Sequence, residues 1–397
     1  MKKYRNIYYL VNLLYSLGVA VWSGTIYLFM HHIGYSYGEI NFFLSIFWVV
    51  TFIAEIPSGF IADHLGYLKT ASISNLVRAA GLAVLALSPK NFLLLALSAF
   101  LTALGDSLMS GTLPSWIANK AALNDEKDQL GEIYSTYSLI ASPFNMIVGF
   151  IGAHFLANID LRLPLLTGAA FLAMTFFILV ALFKYDSQAG TQKLSFKELN
   201  VVSEVKEVIT NEYQTFKFIL LCLPIWFISS GPIDQWQLYF QHGKRVDSGS
   251  ILVAIGIVGY IGSYIYRYLY KKRINQLFLL IFSVIFLTIS IELVVMLKGS
   301  YYLALGIFMI HNLFGTIQQM IQGTLLQESI KTEKSRATIV SVCNALDAGV
   351  SVLILSLNGY LSDYYGIGLA WQSLAIVGLV LFFGMLIYYK RGRVKQA

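Results

Sequence analysis

Long blocks of nearly uninterrupted apolar residues recur along this chain, and they constrain its fold more than any other feature. Gln276 to Leu297 and Ile367 to Tyr389 are two of them. About 20 such residues, wound as a helix, cross the roughly 30 Å hydrocarbon core of a bilayer. No water is present there to satisfy backbone N–H and C=O groups, so the blocks must be helices that satisfy themselves. The short alternating strands of a transmembrane barrel would not produce unbroken runs. Composition agrees. Only 12% of the 397 residues are charged, where soluble domains carry about 25%, and the mean hydropathy is +0.67. The chain reads as an all-α, multi-pass membrane protein.

Apolar blocks set against polar breaks place spans near residues 7–30, 40–62, 70–88, 91–118, 132–156, 162–184, 215–240, 249–270, 275–297, 301–327, 338–362 and 368–389. With the first segment inside, cytoplasmic segments hold 22 of the 28 Lys and Arg and external loops hold 5. Arg78 alone falls deep within a span, away from its ends. That bias fits the positive-inside rule with both termini cytoplasmic, and a missing or extra span would scramble it. The first span follows Met1-Lys2-Lys3-Tyr4-Arg5 without a small-residue cleavage site and is too long for a signal peptide's apolar region, so it is expected to be retained.

The longest break divides six spans from six, giving an N-terminal half (residues 1–184), a linker (185–214) and a C-terminal half (215–397). Within the linker, Ser195-Phe196-Lys197-Glu198 has the pattern of a capping box. Leu199, Val202, Val205 and Ile209 then recur at near-helical spacing. The segment reads as an amphipathic helix on the inner membrane face or as a partly ordered tether. Cys222 and Cys343 fall inside spans and read as packing residues. No spaced Cys/His cluster marks a metal site, and no cofactor, nucleic-acid partner or catalytic nucleophile–base arrangement is expected. The net charge of +7 is accounted for by Lys and Arg at span ends.

Gly59, Asp63, Gly66 and Lys69, between the second and third spans, carry a specific resemblance. The segment resembles the signature loop of the major facilitator superfamily, although Tyr67 and Leu68 stand where that family has a basic pair. Ser335-Arg336-Ala337-Thr338, opening span eleven, is similar to a stretch of bacterial drug-efflux-like members, as is Gln235-Trp236-Gln237 in span seven. The resemblance implies two six-helix halves and a secondary transporter. It also implies that Asp63 latches one conformation shut against the start of span eleven near Arg336, where a helix N-terminus offers orphan N–H groups. The antiporter signatures are only partly present. Span four lacks the expected Arg, and span five has Ser142-Pro143 with Gly149 and Gly152 but not the full glycine series.

Ionisable residues inside a membrane are costly and mark function or pairing. Glu55 and Arg78 lie at similar depth on adjacent spans and are expected to pair. Glu292, near an outer end, can snorkel to water. Asp106, Asp347 and Asp234 have no cation near them in sequence, and in the facilitator fold their spans line the central cavity. Desolvation disfavours the charged form of such a carboxylate, as a proton carrier requires. Asp106 is the first choice, and the alternative for each is an Asp bonded to backbone or facing vestibule water. Asn12, Tyr15, Trp22, Asn145, Trp226, Trp236, His311, Asn312, Gln318 and Asn344 are the expected substrate-binding residues. An aromatic, weakly acidic lining suits small amphipathic or cationic compounds. The expected function is therefore proton-coupled efflux of such drug-like compounds by a monomeric bacterial cell-membrane protein. A facilitator for one metabolite is the alternative, and a non-transporting membrane sensor a more distant one.

The topology is open to test by cysteine labelling. A cysteine at Ala189 or Ala397 should react with an impermeant maleimide only after the cells are opened. Labelling of either in intact cells would overturn the assignment.

Overall fold

Hydrophobic blocks of this length become long helices, several of them ended by a glycine, proline or capping residue. The computed structural model describes residues 1–126, 129–185, 212–241, 248–330 and 336–394. Among them, ten helices are long and apolar enough to cross a membrane, and two bent pairs, each counted as one span, bring the number to twelve. The first six are α1 (Lys2–Ser23, continuing as Ile26–His32), α2 (Tyr37–Leu65), α3 (Tyr67–Leu87), α4 (Phe92–Met109, resuming as Thr112–Leu123), α5 (Leu130–Phe150) and α6 (Leu163–Leu182). The second six are α7 (Tyr213–Cys222 and Ile225–Tyr239), α8 (Ser248–Lys271), α9 (Gln276–Met296), α10 (Tyr301–Ser329), α11 (Arg336–Tyr365) and α12 (Ile367–Val394). The amphipathic stretch expected at 195–209 lies outside the described residues.

The chain forms two compact units. One comprises Met1–Gln192 with Gln241–Val253, which includes the first turns of α8, and the other Lys193–Phe240 with Ala254–Ala397. In the first unit α3 packs on α4 and α6, and α1 on α5 and α6. In the second, α9 packs on α10, while α12 lies against α7, α9 and α11.

Local chemistry sets the helix ends. Ser36 and Glu39 form a reciprocal capping box at the start of α2, and Glu39 also pairs with Lys90 at 3.2 Å. Asn91 caps α4 through Leu93 and Leu94. Gly66 alone joins α2 to α3 at φ 98°, and Gly366 joins α11 to α12 at φ 85°. Both positions are left-handed, where a Cβ is penalised. α7 bends by 46° at Leu223–Pro224, where proline supplies no N–H. α1 bends by 45° between Ser23 and Ile26.

Close helix approach in the first unit rests on small residues. A Cβ on Gly152 would lie 1.7 Å from the carbonyl oxygen of Val21, so α5 touches the α1 backbone there. At this contact α5 widens into a π-turn, Ile151–Leu156. Gly152→Ala should therefore force the two helices apart and lower the melting temperature in detergent. Gly131→Ala, with nothing within 4 Å of the added Cβ, should leave it unchanged or raise it, since alanine is the better helix former by about 1 kcal/mol. Equal melting temperatures for the two variants would refute the packing argument.

Candidate functional sites in the two units

In the first unit the chemistry gathers where α3 and α4 approach most closely. A Cβ on Gly105 would stand 2.7 Å from that of Arg78, and Ser74 Oγ donates to the Gly105 carbonyl at 2.6 Å. Two turns away, Ser98 Oγ donates to the Gly81 carbonyl at 2.9 Å. This seam sets the Arg78 side chain beside Asp106, the residue after Gly105. Arg78 Nη1 donates to both Asp106 Oδ1 and the Tyr15 hydroxyl, and Tyr15 in turn donates to Asp106 Oδ1 at 2.9 Å. The Arg78 side chain is 5% exposed and that of Asp106 35%. The cluster is thus a buried cation neutralised by a carboxylate that is itself about one-third exposed.

The partner that the structure gives Arg78 is Asp106, on α4. The expected partner, Glu55, has its side chain outside the described residues, so that pairing is not tested. Asp106, chosen because no cation lies near it in sequence, has one in space, across 28 positions of sequence.

In the second unit, α7, α10 and α11 enclose a cavity of about 300 Å³. Its polar lining is Trp226, Ser229, Gln318, Gln319, Gln322, Asn344 and Asp347. Trp226 Nε1 donates to Asp347 Oδ1 at 3.0 Å, and Cys343, one turn before Asp347, directs its thiol at Oδ2 at 3.8 Å. Among the described residues no cation pairs with Asp347. Gln318 Nε2 donates to Gln322 Oε1 at 2.7 Å along one face of α10. Cys222, Ile225, Ile233 and Leu326 supply its apolar wall. Sequence reasoning missed Gln319 and Gln322, although three glutamines within five residues of an apolar helix were a legible signal.

Most of the remaining expected site residues serve other contacts. Asn12 and Asn312 donate back to the carbonyls of Tyr8 and Phe308, each at 2.8 Å. Trp22 bonds the Gly18 carbonyl, and its ring fills the space over Gly168 of α6. His311 is buried against Ser290 of α9 at 2.9 Å and joins α10 to α9. Asn145 is half-buried, and its Oδ1 has no hydrogen-bond partner among the described residues. Trp236 is buried outside the cavity lining. Asp234 is half-buried and has no partner among the described residues. Its neighbour Gln235 is wholly buried, donating to Ser362 at 3.0 Å and accepting from Trp371 at 2.9 Å. Glu292 accepts from Gln372 at 2.7 Å. Of the expected latch, Gly66 forms the α2–α3 turn and Lys69 is exposed. The side chains of Asp63 and Arg336 lie outside the described residues.

The sequence profile of the Major Facilitator Superfamily matches residues 8–349. The chain belongs to this superfamily. The uncharacterized MFS-type transporter YxaM of Bacillus subtilis (strain 168) is 21% identical over 250 residues, which cover 59% of this facilitator and 57% of YxaM. The match therefore spans little more than half of that relative. Among solved structures, a mutant of the nucleoside transporter NupG superposes with a TM-score of 0.80 at 13% identity, over 97% of this chain and 99% of NupG. A POT family transporter in complex with 5-aminolevulinic acid gives a TM-score of 0.73 at 13% identity, over 98% and 96% of the two chains. At such identity the likeness carries the fold alone. A facilitator is a membrane transporter by family, with an all-α fold of twelve spans.

The Arg78–Asp106 pair generates a stability prediction. Removing one partner of a buried pair costs about 3–5 kcal/mol, whereas replacing both by apolar residues is often neutral. Asp106→Leu should thus lower the melting temperature of the purified protein sharply. Arg78→Met combined with Asp106→Leu should recover most of the loss. No recovery in the double variant would show that the two side chains act separately.

Proposed function

We propose that this facilitator is a secondary active transporter of small amphipathic molecules, binding their cationic end in the Trp226–Asp347 cavity and coupling export to protons at Asp347. One observation carries the reading. The Asp347 carboxylate is held by an indole N–H in a chamber of about 300 Å³, with no protein cation beside it among the described residues. A charge left uncompensated inside a membrane needs a partner. Either a substrate cation or a proton can serve, and because they compete for one carboxylate, movement of one in exchange for the other follows. The Trp226 indole adds an aromatic surface on which a cation can rest. Asp106, by contrast, is already matched to Arg78, so the coupling role passes from it to Asp347, with Asp234 as the second candidate.

The rest of the proposal follows the sequence. Gly59, Asp63, Gly66, Lys69 and Arg336 form the conformational latch. Two six-helix halves, 1–184 and 215–397, are joined by a linker at 185–214. The protein works as a monomer in the plasma membrane with both termini in the cytoplasm. A second reading, a facilitator dedicated to one metabolite, is favoured by Gln318, Gln322 and Asn344 in the cavity wall. A site built from carboxamides discriminates strongly among substrates by the hydrogen bonds they can return.

Reconstitution into proteoliposomes with an imposed pH gradient, screened against a compound panel, tests both readings. Uphill movement of several chemically unlike amphipathic cations supports the first, and movement of a single polar compound supports the second. In the first case Asp347→Asn, which removes both the proton carrier and the anchor of the cationic end, should abolish uphill transport and weaken binding of cationic substrates. Uphill transport by Asp347→Asn at the wild-type rate would remove Asp347 from the coupling role.

A further inference from the structure

A cluster of lysines at the membrane face that carries the N-terminus has no place in the transport reading. Lys3, in the first turn of α1, sets its ammonium 4.2 Å from the Tyr185 ring centroid, and Lys184 sets its own at 5.4 Å from the same ring. Both lysines are exposed, Lys2 beside them is exposed too, and none is paired with a carboxylate among the described residues. Cation–π attraction contributes about 0.5–1 kcal/mol at such a surface. It leaves two like charges, each an ammonium with three N–H donors, within about a Debye length of each other. An anion between them would relieve the repulsion and accept those hydrogens.

The position of the cluster selects the anion. α6 keeps an apolar surface outward until just before the cluster, with Phe177 and Val180 exposed at 69% and 42%. Tyr185 then stands where the apolar run stops, the level at which tyrosines meet lipid headgroups. A phosphodiester with a negative charge lies at that level in a bilayer, and basic residues near an anionic membrane surface contribute about 1 kcal/mol each. The second unit holds a counterpart that is closed. Lys217, at the start of α7, lies 4.4 Å from the Tyr213 centroid and 4.7 Å from that of Tyr388, near the end of α12. The two hydroxyls bond each other at 3.1 Å, and Lys217 is only 5% exposed. That lysine clasps two helices and offers nothing to a ligand, whereas Lys3 and Lys184 are open.

We propose that Lys3, Lys184 and Tyr185 form a binding site for the phosphate of an anionic phospholipid in the adjoining leaflet. The inference stands independently of the transported substrate. It is tested with the full chain in nanodiscs of phosphatidylcholine containing spin-labelled phosphatidylglycerol. The wild type should hold the labelled anionic lipid in preference to labelled phosphatidylcholine. Lys3→Gln with Lys184→Gln should reduce that preference by roughly fivefold per lysine, the fold-change equivalent of about 1 kcal/mol. Lys3→Arg with Lys184→Arg should retain it, and Lys217→Met should leave it unchanged. The melting temperature of each variant, measured in phosphatidylcholine alone, checks that the fold is intact. An unchanged preference in the glutamine variant overturns the site. Displacement of the lipid by inorganic phosphate at constant ionic strength also overturns it, by assigning the lysines to a soluble anion.

Discussion

Hydrocarbon offers nothing to hydrogen-bond, and the whole molecule is arranged around that fact. Backbone groups are satisfied within helices, which is why the chain consists of spans and short turns. Hydroxyls inside the spans follow the same rule. Thr70, Thr112, Thr175 and Thr288 each bond the carbonyl one turn back, at 2.7–3.1 Å. Other polar side chains join helices, as Ser74 does to the Gly105 carbonyl and Gln235 to Ser362 and Trp371. Such bonds hold helices together where lipid removes the hydrophobic drive for association.

The same rule separates the two membrane carboxylates that matter most. Asp106 answers a permanent need, the buried guanidinium of Arg78, and Tyr15 ties that pair to α1. Its charge is therefore part of the scaffold. Asp347 answers no protein cation among the described residues and is held only by an indole and a thiol. In a low-dielectric site, a group whose compensation must come from outside is suited to a changing partner. Two acids of the same residue type, each inside a span, thus have opposite physical situations, and the difference comes from their neighbours.

What was legible in the sequence was the local part. Twenty-residue apolar blocks specify spans because hydrocarbon thickness and the rise of a helix fix their length. The Gly66 turn was visible for a similar reason, since it depends on residues within one turn of the chain; the Ser36–Glu39 cap and the Pro224 bend are equally local, but sequence reasoning did not single them out. Trp226, Gln318, Asn344 and Asp347 could be nominated as lining because polar groups are rare in such blocks, and the structure brings them to one cavity. Which groups meet was decided by tertiary packing alone. Tyr15 and Asp106 are 91 residues apart and Arg78 and Asp106 are 28 apart. Their encounter depends on how closely α3 can approach α4, which the absent side chain of Gly105 permits. His311 and Trp22 went into helix seams for the same reason. Composition determines that a polar residue in a span must find a partner, but the partner is chosen by shape across the bundle, and no local pattern encodes that choice.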